Sequence, residues 1–202
     1  MIRNVVFDMG GVLIAWDPAR IVARLGLSGE DAQLLLREVF QSVEWVSLDR
    51  GSLSEQAALE RFYSRLPRRL HEAAVRCVFW WKDELWPVPG MAELIQELDG
   101  LGYGIYLLSN ASCRQHDYWP RIPASKFFDG KLISCDVKVV KPCHKIYRLF
   151  TEKFSLNPEE CVFIDDSAAN AAGAVACGWK GIVFHGSSEE LERKLRNLGV
   201  EF

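Results

Sequence analysis

Short apolar runs that stop on carboxylates constrain this chain more than any other feature. Residues 4–8 read NVVFD and residues 161–166 read CVFIDD, so one run ends on Asp8 and the other on Asp165 and Asp166. A strand that is apolar at consecutive positions is buried on both faces, as in a parallel sheet covered by helices on each side. Strand-like runs recur at Ile2 to Phe7, Gly104 to Leu108, Leu132 to Ser134, Cys161 to Ile164 and Gly181 to Phe184. Helical patterns lie between the later runs: GMAELIQELDGLG after Pro89, HKIYRLFTEKF, and SAANAAGAVACG, which finishes at Gly178. Strands alternating with helices predict an α/β fold with a parallel sheet.

One segment breaks that rhythm. From about Pro18 to Glu84 the pattern is helical only: EDAQLLLREVF and SEQAALERFYSRL are amphipathic, and a further helix is expected over Glu72 to Trp81. Ser54 precedes the second of these as an N-cap. The expected division is therefore an α/β core made of residues 1–15 and 86–202, with a helical insert over 16–85. Trp45, Phe79, Trp80, Trp81 and Trp86 read as core at this spacing, the alternative being that some face a ligand across the domain boundary.

Composition narrows the partners. The net charge of −3 offers no basic field for nucleic acid or an anionic membrane, and Arg65, Arg68 and Arg69 read as a solvated helix end. No run approaches the roughly 18 apolar residues of a membrane span, and the opening run lacks the form of a signal peptide. The six cysteines form no CxxC pair, so they read as reduced thiols of a cytoplasmic protein. Nothing near Cys143 and His144 completes a metal-ligand set.

The polar residues that end the strands carry the chemistry. Asp8 ends the first, Ser109 and Asn110 end the second, and Asp165 with Asp166 ends the fourth. In an open parallel sheet the carboxyl ends of the strands line one crevice where ligands bind. Each residue alone has a plain structural alternative, as a helix N-cap or a turn, but that leaves unexplained why all of them follow short buried strands. Converging carboxylates repel, and a hard divalent cation such as Mg²⁺ removes the penalty. Lys141, before Pro142 at an expected helix start, supplies a cation for an anionic substrate, with Lys138 a weaker candidate. A carboxylate, a metal-binding pair of acids, hydroxyl and amide donors and a lysine make a set suited to phosphoryl transfer.

In this order, VVFDMGGVL, LLSNAS, VVKPCHKIY and FIDDSAAN resemble the four motifs of the haloacid dehalogenase-like hydrolase superfamily. Within it, the chain resembles the bacterial branch containing α-D-glucose-1-phosphate phosphatase. The resemblance implies a Rossmann-like sheet with the first strand central and a helical C1-type cap inserted after that strand. It implies Asp8 as nucleophile and metal ligand, Ser109 and Asn110 on the phosphoryl group, Lys141 neutralising it, and Asp165 and Asp166 holding Mg²⁺. The backbone carbonyl of Gly10 is implied as a further metal ligand.

Position 10 departs from the pattern. Most phosphatases of the superfamily carry a second Asp there, which protonates the leaving group and activates water. Glycine keeps the carbonyl and loses that help, which is worth roughly 10²–10⁴ in rate. Three readings follow: a Mg²⁺-dependent phosphatase of a small phosphorylated metabolite such as a sugar phosphate, a metal-free dehalogenase, or a non-catalytic binding or regulatory protein. Under the first, Asp17 or a cap residue is a candidate to stand in for the acid.

Overall fold

The computed structural model describes residues 1–83 and 85–202; Glu84, the expected last residue of the helical segment, lies outside the described residues. The five apolar runs form strands β1 (Asn4–Phe7), β2 (Gly104–Ser109), β3 (Gly130–Ile133), β4 (Cys161–Asp165) and β5 (Lys180–Val183). They make one sheet in the order β3-β2-β1-β4-β5, every neighbour parallel. The first strand is central, and the fold is the Rossmann-like α/β arrangement that the sequence pointed to.

Both faces of the sheet are apolar, which is why the strands lack polar alternation. Val5, Phe7, Ile105, Leu107, Val162 and Ile164 pack on one side with Leu94, Ile95 and Leu98 of α6 (Met91–Gly100). Val6, Leu108 and Phe163 face the other side, against Ile146, Tyr147 and Phe150 of α9 (His144–Phe154) and Ala174 of α10 (Ala168–Val175). Helix α11 (Ser188–Asn197) also covers the first face, through Leu191 and Leu195. Leu191 and Leu195 lie four residues apart on one face of an otherwise charged helix, and Ser187 caps it by accepting from the Glu190 N–H, a helical signal present in the sequence.

The segment between β1 and β2 is helical, with its own apolar cluster built from residues between Val22 and Val78. It contains α1 (Pro18–Arg24), α2 (Gly29–Leu35) running into a π-helical turn at Leu36–Phe40, α3 (Val43–Asp49), α4 (Glu55–Arg65) and α5 (His71–Phe79). Ser54 caps α4 by accepting from the Ala57 N–H. Helix α3 spans two turns, too short for a period to be recognised, and Ser42 caps it. Arg65 and Arg69 do not end in solvent alone: Arg65 bridges Glu38 and Glu44, and Arg69 pairs with Asp31.

Four further expectations need correction. Trp80 is 59% exposed, not core, because it caps the end of α5 and points away from the cluster. Cys113 and Cys135 form a disulfide with Cα atoms 5.5 Å apart, since the loop between β2 and α7 (Gln115–Tyr118) lies beside α8 (Ser134–Val137), which follows β3; four cysteines remain free. Pro142 follows a cis peptide bond and precedes the N-cap residue Cys143, so α9 starts at His144 and the proline is not its first residue. Lys138 is not simply solvated: its Nζ donates to the Gly51 carbonyl at 2.6 Å. No helix among the described residues is long and apolar enough to cross a membrane.

Candidate active site

Strand register sets the site. Phe7 lies level with both Leu107 and Ile164, so the residues that follow emerge at one height on three adjacent strands. Asp8 continues the ladder for one more bond, its N–H donating to the Ile164 carbonyl at 2.8 Å. Beyond it the chain turns sharply, with the N–H groups of Leu13 and Ile14 both donating to the Met9 carbonyl. Gly11 makes that turn with φ +77°, and an added Cβ would fall on the Asp166 carboxylate, within 2.5 Å of its Cγ. Gly10 is different. Its Cβ would meet only Trp16, at an ordinary 3.5 Å, so the backbone does not require glycine there.

Carboxylate oxygens of Asp8, Asp165 and Asp166 lie within 4.8 Å of one another. Lys141 enters the same cluster, its Nζ 2.8 Å from Asp8 Oδ1 and 2.7 Å from Asp165 Oδ2, and it donates to the Leu108 carbonyl at 3.0 Å. Burial pulls the Lys141 ammonium down, but the two carboxylates outweigh it and hold the group above its ordinary range. Burial pushes the Asp8 carboxyl up, with Lys141 opposing and Asp165 adding to the rise. Asp166 is pushed up by burial and by Asp165.

Asp165 is fully engaged. Its Oδ1 accepts from the Ser167 N–H and Asn170 Nδ2, and its Oδ2 from Lys141 Nζ and Asn170 Nδ2, which fills the four acceptor positions of a carboxylate. Asn110 is also committed: its Oδ1 accepts from the Lys141 N–H at 2.8 Å and its Nδ2 donates to the Lys141 carbonyl at 3.1 Å. This amide clasp fixes the backbone that carries the lysine. Ser109 is buried at the end of β2, while Asn110, Ala111 and Ser112 line the crevice.

Oxygen donors alone and three carboxylates in mutual reach suit a hard cation such as Mg²⁺. The other grouping of this kind, Cys113, Cys135 and Asp136, has its two sulfurs bonded to each other.

Above the carboxylates lies a cavity of about 240 Å³ whose opposite wall comes from the helical segment. Trp16, Phe40, Trp45, Trp81 and Tyr118 line it, with ring centroids 5.1 Å apart for Trp16 and Trp81 and 5.6 Å for Trp16 and Trp45. Arg20 is absent from the wall and stacks on Trp86, 4.0 Å from the ring centroid. Asp17 is exposed and caps α1 by accepting from the Arg20 N–H. Sequence reasoning gave no role to Asn170, Ser112 or Asp49; Asn170 and Ser112 had a local signal, closing the FIDDSAAN and LLSNAS motifs.

Residues 2–178 match the model of the haloacid dehalogenase-like hydrolases. The chain belongs to this family. It is 26% identical to the sesquiterpene phosphatase astK of Aspergillus oryzae, covering 89% of this chain and 88% of the relative. It is 28% identical to the (S)-2-haloacid dehalogenase 4A of Burkholderia cepacia (90% and 82%) and 26% identical to the D-ribitol-5-phosphate phosphatase of Bacteroides thetaiotaomicron (84% and 85%). A wild-type enzyme of the family from Bacteroides thetaiotaomicron, solved with magnesium and inorganic phosphate, superposes with a TM-score of 0.70 at 20% identity, covering 95% of this chain and 99% of the other.

Proposed function

We propose that this hydrolase is a Mg²⁺-dependent phosphatase that hydrolyses a small phosphate monoester, foremost a sugar phosphate, through an aspartyl-phosphate on Asp8. The observation that carries the reading is the buried Asp8–Lys141–Asp165 cluster, with Asp166 beside it, at the floor of a roofed cavity. Asp8 attacks phosphorus as a carboxylate. Lys141, fixed by Asp165 and by the Asn110 clasp, offsets charge on the phosphoryl oxygens, and Ser109 and Asn110 stand at the same strand end. Asp8, the Gly10 carbonyl and Asp166 would hold Mg²⁺, with Asp165 adding its charge to the cluster. Bound there, the cation would neutralise the carboxylates and the phosphoryl group.

The roof limits substrate size, since a cavity of about 240 Å³ admits a small leaving group and excludes a macromolecule. Trp16 and Trp45 offer faces for a sugar ring, and Glu55 on the same wall accepts from hydroxyls. The aromatic wall favours a second reading, in which an apolar terpenoid alcohol is the leaving group. A dehalogenase would use Asp8 and Lys141 but has no use for the charge gathered at Asp165 and Asp166. A cytoplasmic setting belongs to the proposal, and the Cys113–Cys135 bridge weighs against it.

The test is phosphate release from p-nitrophenyl phosphate and from a panel of sugar 1-phosphates, sugar 6-phosphates, terpenyl phosphates and nucleotides. Activity that needs Mg²⁺, stops with EDTA and vanishes in Asp8→Asn is the expected result. Halide release from haloacetate without metal would replace the proposal with dehalogenation. Equal inertness of wild type and Asp8→Asn across the panel would leave a binding protein.

A further inference from the structure

The proposed reaction leaves one proton unassigned. When the bond from phosphorus to the leaving oxygen breaks, an alcohol departs as an alkoxide unless an acid protonates it, and Gly10 has no side chain for that task. Four carboxyl groups line the cavity: Asp8, Asp49, Glu55 and Asp166. Asp8 is the nucleophile in this reading, and Asp166 belongs to the oxygen cluster that suits the cation. Glu55 stands in the first turn of α4.

Asp49 has a different setting. It is the last residue of α3, and the turn after it is fastened to the sheet domain. The Ser134 hydroxyl donates to the Asp49 carbonyl, and Lys138 Nζ donates to the Gly51 carbonyl two residues on. Gly51 has φ +67°, and a Cβ there would meet the Cys135 carbonyl at 2.7 Å, so the two backbones touch. The Ser112 N–H faces the Asp49 carboxyl from the loop after β2. Among the described residues no arginine or lysine pairs with it.

We propose that Asp49, carried by the helical cap, is the general acid and base of this site. Its carboxyl proton passes to the leaving oxygen as Asp8 bonds to phosphorus and the phosphorus–oxygen bond to the alcohol breaks. The resulting Asp49 carboxylate takes a proton from water as the water oxygen bonds to phosphorus. The bond from phosphorus to Asp8 breaks in the same step, releasing Asp8 as a carboxylate and orthophosphate, with Asp49 protonated again for the next turnover. Its environment supports the role: burial pushes the carboxyl up to about 7, Asp8 adds to the rise, and the Ser112 N–H and Lys141 oppose it. Tyr118, Asp166 and Glu55 are the other ionisable groups on the wall.

The inference rests on the phosphatase reading, and the two fail separately. Asp49→Asn is assayed with p-nitrophenyl phosphate, whose leaving group needs little protonation, and with an alkyl or sugar phosphate, whose leaving group needs it. The expected result is near wild-type formation of the aspartyl-phosphate from p-nitrophenyl phosphate, seen as a burst. Turnover of the alkyl or sugar ester falls by roughly 10²–10⁴, and the basic limb of its pH–rate profile is lost. The burst also shows that the variant is folded. Gly10→Asp in the Asp49→Asn background places a carboxyl where the backbone has room and should restore part of the alkyl-ester rate. Equal losses in the phosphorylation step of both substrate types, or an unchanged pH profile, would overturn the role of Asp49 while leaving the phosphatase intact. So would a leaving-group-dependent loss in Glu55→Gln in place of Asp49→Asn. Absence of phosphate release by the wild type would instead remove the phosphatase reading itself.

Discussion

Gly11→Ala, paired with Gly10→Ala, tests the geometry of the turn that follows Asp8. Gly11 has φ +77°, and an L residue in the left-handed region costs about 1–2 kcal/mol. The new Cβ would also displace the Asp166 carboxylate, an overpacking cost of about 1–3 kcal/mol. The sum, about 2–5 kcal/mol, lowers Tm by at least about 4 °C for a chain of this length. Gly10 lies outside the left-handed region, and its Cβ meets Trp16 at 3.5 Å. Alanine there should be neutral, or stabilising by about 0.4–1 kcal/mol through the unfolded chain. The assay is thermal unfolding by circular dichroism, with EDTA and with saturating Mg²⁺. Mg²⁺ should raise the Tm of wild type and Gly10→Ala, because a ligand that binds only the native state stabilises it. It should raise that of Gly11→Ala much less, since Asp166 has been moved. A Gly11→Ala protein that melts within about 1 °C of wild type, or equal losses in both variants, would refute the reasoning.

Lys141→Met leaves Asp8 and Asp165 buried and facing each other without their cation, and should cost about 3–5 kcal/mol by urea denaturation in EDTA. In the helical segment, the hydrogen bond from Arg65 holds the Glu44 carboxyl below its ordinary range. Its stabilisation is therefore complete above the unfolded-state value of about 4.3 and is lost as pH falls through the lower folded value. With Arg65 partly exposed, Glu44→Gln should cost about 1 kcal/mol at neutral pH, and Tm measured against pH should show less acid sensitivity in the variant. Lys138→Ala removes the bond to the Gly51 carbonyl, so KM for small monoesters should rise while Tm moves by less than about 4 °C. An unchanged KM would show that this tie does not position the roof.

Much of the fold was written locally. The runs ending at Phe7, Leu108 and Ile164 are apolar at consecutive positions because both faces of the sheet are covered, and that density alone calls for a parallel α/β layer. The four motifs then implied which residues gather at the strand ends, and parallel register puts Asp8 level with Asp165 and with Leu108, one residue before Ser109. Helix α3, two turns long, is too short for a period to stand out, whereas α11 carries a helical spacing in Leu191 and Leu195.

What tertiary structure alone decided concerns contacts between distant segments. Whether Asp165 faces a cation directly or spends its oxygens on Lys141 and Asn170 depends on where α9 and α10 settle against β4. The Cys113–Cys135 bridge depends on the loop after β2 lying beside α8. Asp49 joins the cavity because Ser134 and Lys138, more than 80 residues further along the chain, fasten its turn to the sheet domain. Periodicity reports which side of its own element a residue occupies, whereas these assignments depend on which elements meet, and packing settles that only once the chain has folded.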